Sequence, residues 1–264
     1  MSTRDHDPDR RAALLAFAAG GAAFLSGCRA SAETPRAPVR PATAAPSVPA
    51  SASIAPFVKP AGPHAVVPLP FDPTKVRGLS ERLLVSHHEN NYAGAVKNLN
   101  KVEAELAALS KDAPAFVVGG LRERALSFRG SATLHELYFG NLGGDGAVPT
   151  EVDRWLTEGF GSRGHWEETF RATAGALAGG SGWVVLAYDL HRQSIVVDWS
   201  SNHTQSGVLT APLLVLDMYE HAYQMDYGAA AARYVDAFFA NVRWEIVATR
   251  FTRARKAGAL LHET

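Results

Sequence analysis

The chain has 264 residues, 47% of them hydrophobic and 20% charged, and its 26 basic side chains balance 26 acidic ones. That length suits one sizeable globular unit or two small ones. A formal net charge of zero gives no electrostatic case for nucleic acid or for direct adhesion to an anionic membrane surface, and the single cysteine excludes a disulfide within the chain.

Residues 1–28 read as a signal peptide. Arg10-Arg11 precede the apolar run Ala12–Leu25, which is too short to span a bilayer comfortably. The run leads into Leu25-Ser26-Gly27-Cys28, which resembles a bacterial lipobox, in which the cysteine becomes a lipidated N-terminus. The expectation is an exported protein, a periplasmic or cell-envelope lipoprotein attached to the membrane through Cys28. The arginine pair in Asp9-Arg10-Arg11-Ala12-Ala13-Leu14 matches a twin-arginine signal loosely, and general secretion stays open. Residues 29–62 are rich in Ala, Pro and Ser, bury little, and read as a tether.

Residues 63–145 carry two helical patterns. In Gly78–Leu109, with Ser80 as the starting residue, Val96, Leu99, Val102, Leu106 and Leu109 recur three or four apart. His87, Asn91 and Ala95 share one stripe, and His88 and Tyr92 the next. In Val117–Leu142 the stripe Leu121, Ala125, Phe128, Ala132, His135, Phe139 and Leu142 places His135 among apolar residues, and Gly140 with Gly143-Gly144 ends the helix. The two helices form an antiparallel hairpin. A lone histidine on such a face is more often a satisfied core residue than a ligand.

Residues 146–264 are mixed. Thr150–Ala178 reads as helices around a break at Phe160-Gly161-Ser162. Trp183–Tyr188, Ser194–Trp199 and Leu213–Leu216 read as strands, and Tyr227–Thr249 as a closing helix. The fold class is α+β: a helical hairpin followed by a domain with a three-stranded antiparallel sheet.

The stretch Pro212–Tyr227, PLLVLDMYEHAYQMDY, organises the rest. An apolar run ends in Asp217, and His221 follows four residues later. The pair shares one helical face, or it marks the corner where a buried strand meets a helix, and the apolar run favours the corner. A carboxylate beside a dry core is costly unless it is paired or ligates a metal.

PLLVLDMYEHAYQMDY resembles the C-terminal signature of iron/manganese superoxide dismutases. Phe160-Gly161-Ser162, Gly180-Ser181-Gly182-Trp183, Trp244-Glu245, His135 and Val96-Lys97-Asn98-Leu99-Asn100 agree with that family in order and spacing, over roughly residues 66–250. The resemblance implies one iron or manganese ion per chain, held by His87, His135, Asp217 and His221, with superoxide as substrate and redox cycling of the ion as the chemistry. Anchoring on Leu99-Asn100 selects His87 as the first-helix ligand and puts His88 beside it. His203 stands where the family supplies a hydrogen bond to metal-bound solvent, because Ser131, at the other place used for this, is too short. Trp183 and Tyr219 wall the pocket. A homodimer is implied, with Glu220 reaching the partner's ligand histidine and Asn91 and Gln224 forming a second bridge.

The chain departs from the family pattern where the pocket-mouth tyrosine falls on Ala95, a histidine on Asn91 and a second tyrosine on Gln224. These departures bear on proton supply rather than on the ligands. The competing readings are a non-catalytic descendant of the fold and a non-haem iron enzyme of another reaction class, since histidines with a carboxylate also serve oxygenases.

Overall fold

The computed structural model describes residues 63–263. The expected signal peptide, Cys28 and the tether lie outside the described residues, which belong to one compact unit.

The described chain starts as an extended arm along the first helix. The Asn100 side-chain amide clasps the His64 backbone from both sides, accepting from its N–H at 2.7 Å and donating to its carbonyl at 2.8 Å. Helix α1, Glu81–Ser86, is capped by Ser80, whose Oγ accepts from the Leu83 N–H at 3.1 Å. The continuous α-helix expected over Gly78–Leu109 is interrupted. His87–Tyr92 form a widened, π-helical turn before α2, Ala93–Ala108. Such turns absorb an extra residue inside a helix and are frequent at functional sites.

Helix α3, Ala115–Gly140, returns antiparallel to α2: Arg129 meets Glu103 at one end of the pair, and Glu136 meets Tyr92 at the other. Helices α4, Thr150–Phe160, and α5, Arg163–Leu177, turn at Gly161, whose φ of +81° suits glycine. Strands β1, Trp183–Asp189, β2, Ser194–Ser200, and β3, Thr210–Asp217, form a sheet in the order β2-β1-β3, with β1 antiparallel to both neighbours. Every residue of the central strand is buried, which is why it reads as a nearly unbroken apolar run. The apolar core runs without interruption from the helical hairpin into the sheet.

The single closing helix expected over Tyr227–Thr249 is instead α6, Gln224–Tyr227, α7, Ala231–Ala240, and α8, Trp244–His262. Asn241 makes the second break. Its amide donates to the Ala237 and Arg77 carbonyls, each at 2.7 Å, and accepts from the Arg77 N–H at 2.9 Å. It thereby ends α7 and ties it to the residues before α1.

Two side chains lock α3 to β3 and so set the separation of His135 from Asp217. The buried Asn141 amide pairs with both backbone groups of Val215, at 3.0 and 3.1 Å. From α8, the Arg250 guanidinium donates to the carbonyls of Leu213 at 2.9 Å and Leu137 at 3.1 Å. A cation over the final carbonyls of α3 also complements the helix dipole.

Candidate metal centre

Asp217 ends β3 and is fully buried. The Tyr219 N–H donates to its Oδ1 at 2.8 Å, which holds the carboxylate as the chain turns out of the strand. A one-turn helix, Glu220–Ala222, then carries His221 back over it. The pair thus sits at a strand-to-turn corner rather than on one helical face.

Three imidazoles meet the other carboxylate oxygen. Asp217 Oδ2 lies 3.1 Å from His87 Nε2, 3.2 Å from His221 Nε2 and 3.6 Å from His135 Nε2. His87 comes from the first residue of the widened turn, and His135 from the buried face of α3. The donor atoms of all four residues lie within 4.8 Å of one another.

The charge state follows from the surroundings. Burial pushes His135 down to about 3 and lowers His87 as well, so both rings are neutral. Burial alone would raise Asp217, but hydrogen bonds from His221 and His87 overcome it and hold the carboxyl below its ordinary range. His135 Nδ1–H donates to the Ser131 carbonyl at 2.7 Å, so its Nε2 presents a lone pair to the centre. That Nε2, and His87 Nδ1, are buried with no hydrogen-bond partner. A carboxylate and neutral ring nitrogens crowded around one point, with a lone pair left orphaned, form a cation's donor set. Imidazoles with one carboxylate suit iron or manganese.

Aromatic rings enclose the donors. The Trp183 ring stands edge-on to His135 at 5.1 Å. Tyr219 is sandwiched between His203 at 4.8 Å and His221 at 5.3 Å, nearly parallel to both. The Trp183 indole N–H donates to His203 Nδ1 at 3.0 Å. Burial lowers the pKa of His203, so the ring is neutral and carries its proton on Nε2. Beneath the carboxylate, the Tyr234 hydroxyl donates to the Asp217 carbonyl at 2.7 Å and lies 3.2 Å from the Tyr138 hydroxyl.

Residues 149–250 match the family model described as iron/manganese superoxide dismutases, C-terminal domain. The iron superoxide dismutase of Cupriavidus metallidurans is 48% identical over 192 residues, which cover 72% of this chain and 98% of that protein. A manganese superoxide dismutase of Haloferax volcanii is 34% identical over 196 residues, 71% of this chain and 94% of that one. The iron superoxide dismutase of Aquifex aeolicus is 31% identical over 207 residues, 74% and 95% respectively. The chain belongs to the iron/manganese superoxide dismutase family.

As a superoxide dismutase family member it brings His87, His135, Asp217 and His221 together, with His203, Trp183 and Tyr219 around them. His88 is turned away, its Nε2–H donating to the Val67 carbonyl on the N-terminal arm at 2.8 Å. Ala95 is buried and offers no polar group. Glu220 and Gln224 are exposed and Asn91 is half-buried.

Several residues of the site escape sequence reasoning. Tyr138 and Tyr234 look like ordinary core aromatics. Gly130 lies under the His203 backbone: a Cβ built there would stand 1.9 Å from the His203 carbonyl oxygen. A glycine inside a long helix was the available signal for a close backbone approach.

Proposed function

We propose that the protein is an exported superoxide dismutase whose single iron or manganese ion is held by His87, His135, Asp217 and His221. The observation that carries this reading is the convergence of three ring nitrogens on one buried carboxylate oxygen, with His135 Nε2 unpartnered. When bound, iron or manganese supplies one-electron redox chemistry, by which two superoxide ions and two protons become dioxygen and hydrogen peroxide.

The remaining steps belong to the protein. Asp217 places one negative charge among neutral imidazoles, which keeps both the divalent and trivalent states accessible. Tyr138 and Tyr234 hold the backbone that carries it. Trp183 and Tyr219 exclude bulk water, which strengthens every electrostatic interaction inside. Trp183 also fixes the tautomer of His203, leaving Nε2–H as a donor for solvent or superoxide at the centre. Ala95 supplies no phenol at the pocket mouth, so water delivers the protons for peroxide there.

The assembly reading is a two-fold dimer with Glu220 approaching the partner's ligand histidine and Asn91 meeting Gln224. Amides at both ends can donate and accept reciprocally. The export reading is cleavage before Cys28, lipidation there, and a tether to about residue 62. One acyl chain binds a membrane only marginally, so firm anchoring needs more than one.

The deciding experiment is a dismutation assay on purified, metal-loaded protein, paired with elemental analysis. Activity above that of the free ion, with about one iron or manganese per chain, is the expected result. A metal-replete protein without activity would establish the non-catalytic alternative. Intact-mass analysis of membrane-extracted protein tests the export reading, which fails if the mature chain starts elsewhere and carries no lipid.

A further inference from the structure

Tyr92 is buried, at 1% exposure, yet its hydroxyl does not point into a closed core. It donates to Glu136 Oε1 at 2.9 Å and accepts from the Val67 N–H at 2.8 Å. Glu136 is exposed on α3, one residue from His135, and Val67 is exposed on the N-terminal arm. On its other side the Tyr92 ring lies 6.3 Å from the His135 ring, centre to centre. A phenol thus stands between a residue of the metal centre and a solvent-facing carboxylate. Dismutation as described above uses neither Tyr92 nor Glu136.

We propose that Tyr92 and Glu136 form a proton-coupled redox pair, which gives the protein a second, peroxide-consuming activity. This rests on the reading of the centre as a dismutase metal site, since that site generates the hydrogen peroxide. Reduction of one peroxide to two waters takes two electrons and two protons. One electron comes from Tyr92, and the second is the one stored in the reduced centre. As Tyr92 loses its electron, its hydroxyl proton crosses the existing hydrogen bond to Glu136 and leaves to solvent. The two protons that peroxide needs are drawn from water, so one proton is consumed net. The neutral tyrosyl radical is then returned to tyrosine by one electron and one proton from an external reductant of the phenol or ascorbate class, and superoxide, the substrate of dismutation, returns the other electron to the centre as it becomes dioxygen.

The carboxylate is what singles Tyr92 out. Oxidising a phenol that cannot release its proton would leave a buried cation, which is costly. Tyr138 and Tyr234 are also close to the centre, but their hydroxyls meet each other and the Asp217 carbonyl. Neither has a solvent-facing side chain as acceptor, so their oxidation would strand a proton in the core.

The test mixes reduced, metal-loaded full-length protein with hydrogen peroxide, freeze-quenches it and records the electron paramagnetic resonance spectrum. A tyrosyl signal that narrows on ring deuteration is expected. It should disappear in Tyr92→Phe and fall in Glu136→Gln, while both variants keep their dismutation rate. Peroxide-dependent oxidation of an added phenol should be lost with it. Peptide mass spectrometry of wild-type protein supplies a second readout that needs no variant, with oxidation concentrated on Tyr92. An active dismutase that forms no tyrosyl radical, keeps the radical in Tyr92→Phe, or is oxidised only at Trp183 or His135 overturns the proposal. Loss of dismutation in wild-type protein would instead overturn the function on which it rests.

Discussion

The indole N–H of Trp183 donates to Nδ1 of His203 at 3.0 Å, and this one contact decides which nitrogen of His203 carries the proton. Trp183→Phe keeps an aromatic wall but releases the ring to either tautomer. Groups that orient a metal site through a hydrogen bond typically cost about tenfold to a hundredfold in affinity or activity when removed. Trp183→Phe is expected to lose activity in that range and to shift the metal potential. His203→Ala should shift the potential in the same direction. Unchanged kinetics and potential in both variants would remove His203 from the site.

Gly130 provides a test on the other side of the same histidine. Gly130→Ala drives a methyl group into the His203 carbonyl, a backbone atom that cannot rotate away. Overpacking of this kind costs about 1–3 kcal/mol. The internal control is Gly119 in the same helix, which has open space around it. Gly119→Ala should be stabilising by about 0.5–1 kcal/mol, because glycine is a poor residue inside a helix. Thermal unfolding should therefore move in opposite directions for two identical substitutions in α3, and only Gly130→Ala should also lower activity.

These two contacts mark where the sequence stops being legible. Helix α3 was readable because its apolar residues alternate spacings of three and four, which put His135 on the buried face. The strands were readable from their apolar runs. The widened turn at His87–Tyr92 was not, because His87, Asn91 and Ala95 recur at the same spacing whether or not the helix opens. The break at Asn241 depends on Arg77, far away in the chain, and so leaves no local mark. For Asp217 and His221, spacing alone left a helical face and a corner both open. The grouping of His87 and His135 with them came from resemblance to a family rather than from periodicity. The hydrogen bond from Tyr92 to Glu136 joins two helices and no pattern along either one announces it.

Removing a donor separates a metal site from a satisfied polar core. Asp217→Ala leaves the buried His87 without its acceptor, at about 1–3 kcal/mol, and also unpairs the partly exposed His221 and the Tyr219 N–H. His135→Ala removes the orphaned lone pair and little hydrogen bonding. Both should strip the ion, but Asp217→Ala should destabilise the metal-free protein far more than His135→Ala does. Elemental analysis and thermal unfolding of chelator-treated protein read the two effects separately. Full metal content in either variant would rule out this ligand set, and unaffected metal content in His87→Ala would move the first-helix ligand to His88.

Asp198 on β2 gives a pH dependence remote from the ion. Burial, and secondarily the charge of Asp189, raise its pKa above the ordinary 3.8. The unfolded chain therefore ionises first, and the folded state holds the extra proton between 3.8 and its own higher value. Stability falls as pH rises through that window, and at neutral pH the whole penalty is present. Asp198→Asn should raise the Tm at neutral pH. Its advantage should shrink as pH drops toward 3.8, where both states of the wild type are protonated. A variant with the same advantage at every pH would mean that the ionised carboxylate is not the cause.

The last prediction concerns assembly. Glu220 is exposed beside His221, whose side chain is itself 27% exposed while the other three donors are buried. The centre is therefore open to solvent at His221, next to the exposed Glu220, and Gln224 and Met225 a few residues on are exposed as well. A second copy related by a two-fold axis would cover this edge and bring each Glu220 to the partner's histidine. An ion pair or charge-assisted hydrogen bond removed from water there is worth more than one on an open surface. Light scattering at micromolar concentration should give a dimer. Glu220→Ala should weaken the dimer and lower metal retention together, whereas Gln224→Ala should weaken the dimer and leave the ion in place. A monomer at that concentration, or a Glu220→Ala variant that keeps both dimer and metal, would take this edge out of the interface.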